Sequence, residues 1–532
     1  MKINKIYFSI VASLLLVYAC TDLEEELRGE ITTDINIEGI SSGGSGGGGD
    51  ALTSAFAALR DAGTANHGGY FSLQALPSDE AVIAAKGGDW YDGGVLIELH
   101  KHTFTASNSF INGSWNQQYS AINNVNELLA SGLDAGSNAQ LRVLRAFFYW
   151  RLMDLFGNVK IITTPGSDAP QASRGEVFNF VESEILAALD IDSVSADMDL
   201  SNSPLGVGDN KYRINRWAAL GLLSKVYLNA EVYSGTARYS EAAVAAGYVI
   251  DNGPYTLCST GCSVPNLGKR PAVASDPDEL EGFAAVFAPN NENNPEIIWS
   301  TQYDEALGGG EMNFSQMTLH YSSQFTWNFQ DQPWNGYATL EEFYNSFDDN
   351  DLRKKASFIA GPQLDFGGSA VLDYASDDGN PPLNYTPQIN ELEPNSLREA
   401  GARMGKYSFQ QFGRPKMNND YVIVRLGELY LNRAEALARA AGDWSLAAPD
   451  VNVIRSRAGV GPMSSITADS FLAERGREMF QETSRRTDLI RFDKYTGTWW
   501  EKPASAEYRE LFPIPFEQIQ ASNGSLTQNP GY

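Results

Sequence analysis

The sequence predicts a mainly α-helical protein in which paired helices form a scaffold and a long loop-rich lobe is inserted between them. Three observations lead there. Apolar residues recur at helical spacing through a series of segments, and those segments come in pairs joined by short turns. Between residues 251 and 420 the periodicity is mostly lost, and Gly, Pro, Asn, Asp and Ser take over, with aromatics scattered among them.

Residues 1–19 read as a secretory signal: Lys2 and Lys5 open it, an apolar run follows, and small Ala19 precedes the cleavage point. The run is too short to span a bilayer. Val17-Tyr18-Ala19-Cys20 resembles the bacterial lipobox, in which Cys20 becomes an acylated N-terminus, with palmitate among the expected chains; Tyr18 is bulkier than the usual residue there. An ordinary signal with an incidental cysteine is the alternative. Each buried methylene of an acyl chain adds about 0.8 kcal/mol of membrane affinity. Residues 20–50 would form the tether, with an acidic cluster, TDLEEE at 21–26, and then a Gly/Ser linker at 41–50. Gly43 to Gly47 matches the Gly-x-Ser-x-Gly pattern of hydrolases, but lacks the strand before and helix after that such an elbow needs.

The chain has 532 residues, 39 basic and 66 acidic, and its formal charge of −27 becomes −29 once Lys2 and Lys5 leave with the signal. Such a balance argues against nucleic acid, anionic membrane or highly anionic polysaccharide as the main partner.

The first helical region covers 51–250. At 138–156, Leu141, Leu144, Phe148, Leu152 and Leu155 keep helical spacing and Gly157 follows as a cap; further helices are predicted at 176–189, 217–230 and 240–250. The second helical region, 421–532, holds predicted helices at 421–441, 445–458 and 468–480. Its LNRAEAL at 431–437, GDW at 442–444 and NVIRSR at 452–457 resemble a tetratricopeptide pair with irregular spacing; an unrelated helical bundle is the alternative. In the lobe between them, Cys258 and Cys262 suit a short local disulfide in an oxidising compartment, and no further metal ligands lie nearby.

Taken as a set, LRAFFYWRLMDLFG at 144–157, NGY at 335–337, FDDNDLR at 347–353, KY at 406–407, RLGELY at 425–430, ER at 474–475, RTDL at 486–489 and QNPGY at 528–532 resemble the SusD/RagB family of outer-membrane lipoproteins of Bacteroidetes. The resemblance implies a SusD-like fold and a surface-exposed, lipid-anchored place on the outer membrane. It also implies a protein with neither catalysis nor cofactor, which captures oligo- or polysaccharide and passes it to a SusC-like TonB-dependent transporter. Relatives of the RagB branch handle peptides, and a peptide importer's lid is one alternative. A secreted glycoside hydrolase is another, since 66 acidic residues supply carboxylate pairs without geometry.

Sugars present flat C–H faces rimmed by hydroxyls, so a glycan site needs exposed rings together with amides and carboxylates. Two stretches offer both. The first is Asp89-Trp90-Tyr91-Asp92 between glycine pairs; the second runs from Gln324 to Tyr337 and contains Trp327, Trp334, Asn335 and Tyr337. Trp90, Trp327 and Trp334 are the leading candidates, with anchoring of loops in the core as the other role for them. Tyr91, Tyr303, Tyr321 and Tyr337 follow. His100-Lys101-His102 would place two imidazoles on one face of a strand without a third ligand, and Asp348-Asp349-Asn350-Asp351 lacks the spacing of a calcium loop, so no metal site is expected. The arginines at 425–491 are expected to pair with Glu428, Glu435, Glu474, Glu478 and Asp488.

Overall fold

The computed structural model describes residues 52–208, 210–304, 312–376, 379–414 and 416–532. The signal, Cys20, the acidic tether and the Gly/Ser linker lie outside the described residues. Helices dominate, and among the described residues every sheet is a two-stranded antiparallel pair.

Three helices build the first part of the scaffold: α1 (Ser109–Ala130), α2 (Ala135–Phe156) and α3 (Arg174–Leu189). Each starts where a side chain can satisfy free N–H groups: Asn108 accepts from the Phe110 N–H, Asp134 from Ser137, and Ser173 forms a capping box with Glu176. Helix α2 packs between α1 and α3, and every side chain from Val143 to Phe156 is buried. A helix buried all round must pair its charges. Arg145 meets Glu184 at 2.6 Å, and Asp154 meets Arg486 at 2.9 Å. Helix α1 escapes sequence periodicity because its inward stripe is half polar, with Ser114, Gln118 and Asn126 beside Ile111, Trp115, Ile122 and Val125.

Next come α4 (Arg216–Leu228) and α5 (Tyr239–Asn252); α5 packs against both α4 and α6 (Leu426–Ala441), followed by α7 (Ala448–Arg457) and α8 (Ala468–Met479). Residues 421–425, expected as the start of a helix, instead form a strand. Tyr421–Arg425 pairs with Ile297–Thr301, and all five residues of each strand are buried. A run of aromatic and β-branched residues, Tyr-Val-Ile-Val, hidden on both faces favours a strand over the first turn of a helix. Gly221 of α4 lets this strand approach closely, since a Cβ there would lie 2.5 Å from Val424.

This strand pair ties residues 253–420 to the scaffold. Among the described residues of that stretch no helix exceeds six residues. Cys258 and Cys262 are joined by a disulfide. At its C-terminal border sits a buried charge network: Arg425 reaches Glu296 at 2.9 Å, Glu478 at 2.7 Å and Glu482 at 2.7 Å, and Lys406 reaches Glu482 at 2.5 Å. Of the acids expected to pair with the arginines at 425–491, Glu435 meets Arg491, Glu474 meets Arg455 and Asp488 meets Arg475. These pairs join different helices and not neighbours along one helix.

Candidate functional site

The first aromatic loop is a tight turn. Lys86 and Asp89 form an isolated bridge across Gly87 and Gly88, and Gly87 has φ +68°. Trp90 itself takes φ +61°, an uncommon conformation for a bulky residue that cooperating contacts must hold. The Lys86 ammonium is buried and donates to the Ala84 carbonyl at 3.1 Å; burial holds its pKa well below the usual lysine range.

The second loop is fastened by its backbone. The N–H groups of Trp334, Asn335, Gly336 and Tyr337 donate to the carbonyls of Gln316, Leu319, Met317 and Met317 at 2.8–2.9 Å. This laces the loop onto the short helix Phe314–Thr318 and the turn after it. The two loops then meet. Trp90 Nε1 donates to the Trp334 carbonyl at 2.6 Å, and the indole lies against Gly336, where a Cβ would come within 2.5 Å of the ring. Behind Trp90, His67 packs edge-on at 5.1 Å and shares a hydrogen bond of 3.1 Å with the Tyr337 hydroxyl. Burial outweighs the opposing pull of Asp92 and lowers the His67 pKa to about 4, so this ring is neutral at neutral pH.

The outcome is a surface in which Trp90 is half buried and oriented, while Trp334 (39 % exposed) and Tyr91 (48 %) face solvent. A polar rim accompanies them. The Tyr321 hydroxyl donates to the Asp89 carboxylate, and burial, then Asp89, raises the tyrosine pKa. Such a surface offers ring faces to C–H groups and a carboxylate and phenol to hydroxyls.

The structure therefore brings the expected Asp89, Trp90, Tyr91, Tyr321 and Trp334 together. Other expected contacts are placed elsewhere. Tyr337 (0 % exposed), Asn335 (0 %) and Tyr303 (1 %) are core residues with no face open to a solute, a correction to their expected place at the ligand. Tyr337 instead supports the site from behind, bonded to Ser72 Oγ at 2.7 Å and to His67. Trp327 belongs to a separate cluster, stacked on Phe329 at 5.8 Å and edge-on to Phe409 at 5.3 Å.

Sequence reasoning passed over a group of exposed rings: Phe325, Tyr374 and Phe412, with Phe366 packed on Phe412 at 5.4 Å. Phe325 lies within the second candidate stretch without having been singled out, whereas Phe366, Tyr374 and Phe412 are single aromatics outside it, and only folding gathers them. His100 and His102 are not on a strand. His100 lies in the helix Val95–Lys101 and His102 caps it; both are buried, with His100 bonded to the Trp500 carbonyl at 2.8 Å and His102 to that of Pro77 at 3.0 Å. Asp351 caps the helix Leu352–Ser357 and pairs with Arg353 at 2.7 Å. Among the described residues no cluster of three or more His, Cys, Asp or Glu is arranged to hold a metal ion.

Comparison with known proteins fits this architecture. Residues 58–228 match a family described as starch-binding and associating with the outer membrane, and residues 295–532 match the SusD family. The starch-binding protein SusD of Bacteroides thetaiotaomicron is 25% identical over 511 residues, covering 87% of this chain and 85% of that protein. A SusD-like protein of Bacteroides ovatus is 24% identical over 420 residues, covering 74% and 67%. Among solved structures, surface glycan-binding protein A from Bacteroides thetaiotaomicron, in complex with laminarihexaose, superposes with a TM-score of 0.66 at 19% identity, over 90% of this chain and 98% of that one. Surface glycan-binding protein A from Bacteroides fluxus gives 0.65 at 22%, over 91% and 98%. With family matches in both its halves, a relative aligned along most of its length and the fold those relatives share, this chain belongs to the SusD/RagB family.

Proposed function

We propose that this protein is a cell-surface glycan-binding lipoprotein, anchored to the outer membrane through Cys20. In this reading it captures oligo- or polysaccharide and hands it to a SusC-like TonB-dependent transporter without cleaving it. The observation that carries the proposal is the joined loop pair: Trp90 is locked onto Trp334 by its indole N–H, and Trp334 and Tyr91 present rings beside Asp89 and Tyr321. Relatives described as binding starch and laminarihexaose give the same direction. No helix among the described residues is long and apolar enough to cross a membrane, so membrane attachment in this reading falls to Cys20 and to the transporter.

Calorimetric titration of the chain from Thr21 onward with neutral and acidic oligosaccharides and a peptide pool tests the proposal, with the same mixtures assayed for new reducing ends. Binding of one glycan class without new reducing ends is expected. Cleavage, or binding of peptide alone, overturns it. In the native host, Cys20→Ala is expected to lower the membrane-bound fraction, and retention in a strain lacking the transporter would count against the lipid anchor.

A further inference from the structure

The exposed rings of the loop-rich stretch stand next to the surface site. The short turn of helix Tyr321–Ser323 runs directly into the helix Gln324–Trp327, so Phe325 sits one helical turn beyond Tyr321, whose hydroxyl bonds Asp89. The Tyr374 ring lies 6.4 Å from that of Phe325. Behind this pair, His320, the residue before Tyr321, places Nε2 3.2 Å from the carboxylate of Asp373, the residue before Tyr374. Phe366 and Phe412 are brought in through the backbone. The Phe366 N–H donates to the Phe325 carbonyl at 3.0 Å and the Phe412 N–H to the Trp327 carbonyl at 2.8 Å, while their two rings pack at 5.4 Å. One short helix thus gathers three segments and continues the line that starts at Asp89 and Tyr321.

These rings are held out into solvent. Phe325 is 51 % exposed, Tyr374 45 % and Phe412 59 %. A lone exposed apolar residue needs no explanation, whereas a contiguous group marks a surface that meets something. Phe412 adds strain: its φ of +60° is an outlier for a bulky residue, and a ring left in solvent returns little of that cost through burial. Trp90 in the first loop has the same conformation, with φ +61°. Polar groups stand among the rings. The exposed Gln330 reaches the Phe412 carbonyl with Nε2 at 3.4 Å, and Asp365, the residue before Phe366, accepts from the N–H of exposed Ser369 at 2.8 Å. Rings interspersed with amide, hydroxyl and carboxylate suit a sugar chain better than they suit the dry, charge-poor centre of a stable protein interface.

We infer that Phe325, Tyr374, Phe366 and Phe412 form a second stacking surface that extends the Trp90–Trp334 site, so that the ligand is an extended polysaccharide chain gripped along both surfaces. The inference rests on the glycan-binding reading and adds the length of glycan that the site selects. The chain from Thr21 onward is titrated with laminaritriose and maltotriose, and with laminariheptaose and maltoheptaose. For the glucan that binds, the heptasaccharide is expected to bind about tenfold more tightly than the trisaccharide, the effect of one further anchoring contact. The double variant Phe325→Ala/Tyr374→Ala is expected to abolish that gain and to leave the trisaccharide affinity and Tm unchanged. Phe412→Gly relieves the strain as it removes the ring, so weaker heptasaccharide binding with little change in Tm separates lost stacking from lost folding. Trp334→Ala is expected to weaken both lengths. Equal affinity for both lengths in the unaltered chain, or a length gain that survives both ring variants, overturns the extension and leaves the surface site standing. Binding that the ring variants abolish and Trp334→Ala leaves untouched overturns the surface site and, with it, the continuity inferred here. No binding of any of the four to the unaltered chain overturns the inference for these glucans.

Discussion

The indole N–H of Trp90 donates to the main-chain carbonyl of Trp334, 2.6 Å away and 244 residues along the chain. Two loops far apart in sequence thereby become one platform. The bond satisfies the polar edge of Trp90, which a half-buried indole requires, and fixes the orientation of its ring. It also ties the position of Trp334 to that of Trp90, so the two rings respond together to substitution.

Trp334→Ala removes an exposed ring while leaving the carbonyl that Trp90 needs. Affinity for the glycan is expected to fall by about 1–3 kcal/mol, the size of an anchoring aromatic, with little change in Tm. Calorimetry and thermal unfolding of the same preparation check both halves, and undiminished affinity in a folded variant would remove Trp334 from the site.

Gly336→Ala probes the platform without touching a ligand-facing ring. The new methyl would lie 2.5 Å from the Trp90 ring and 2.8 Å from the Met317 carbonyl, so one of them must shift. Overpacking of this kind costs about 1–3 kcal/mol. Binding is expected to weaken along with a modest fall in Tm, whereas unchanged affinity would mean that the packing of Trp90 on Gly336 does not set the site.

The helical scaffold was legible because residues such as Leu141, Leu144, Phe148 and Leu152 repeat at the period of the helix they form. Helix α1 was hidden because Ser114, Gln118 and Asn126 face inward, and Gln118 donates to the Ala62 carbonyl at 2.8 Å, a bond no local pattern announces. The strand Tyr421–Arg425 was misread because a fully buried run shows no alternation, and its partner lies more than a hundred residues earlier. The site was half legible for a similar reason. The glycine pairs around Trp90 and Tyr91, and Pro333 and Asn335 beside Trp334, mark these as loop residues, but which ring turns inward depends on long-range packing: Tyr337 bonds Ser72, and Tyr303 is enclosed in the core.

Stability should depend on pH through Asp420. Burial outweighs the hydrogen bond donated by Tyr212 at 2.7 Å and raises its pKa from 3.8 to about 7. The folded chain therefore keeps a proton that the unfolded chain releases near pH 4, and this contribution is fully present below that pH and lost as pH rises through 7. Asp420→Asn keeps an acceptor for Tyr212 without the ionisation. Denaturant unfolding at pH 5 and pH 8 is expected to show the variant gaining on the wild type at the higher pH; an equal difference at both would rule out this titration.

Arg425 tests whether the buried charge network holds the loop-rich stretch to the scaffold. Its guanidinium serves Glu296, Glu478 and Glu482 together, and the arginines Arg425, Arg457 and Arg353 keep the Glu478 carboxyl well below the usual range despite burial. Arg425→Leu would leave three carboxylates in a dry interior with fewer cations, where removing one partner of a buried pair costs about 3–5 kcal/mol. Arg425→Lys keeps the charge but cannot bridge three carboxylates with one ammonium, so a smaller loss is expected. The order of midpoints in urea, wild type above Arg425→Lys above Arg425→Leu, checks the argument. Equal midpoints for wild type and Arg425→Leu would show that apolar packing alone holds this junction. Because the strand Tyr421–Arg425 pairs with Ile297–Thr301, loosening Arg425 should also weaken glycan binding without any change in the ligand-facing rings, through the loops that this strand pair supports.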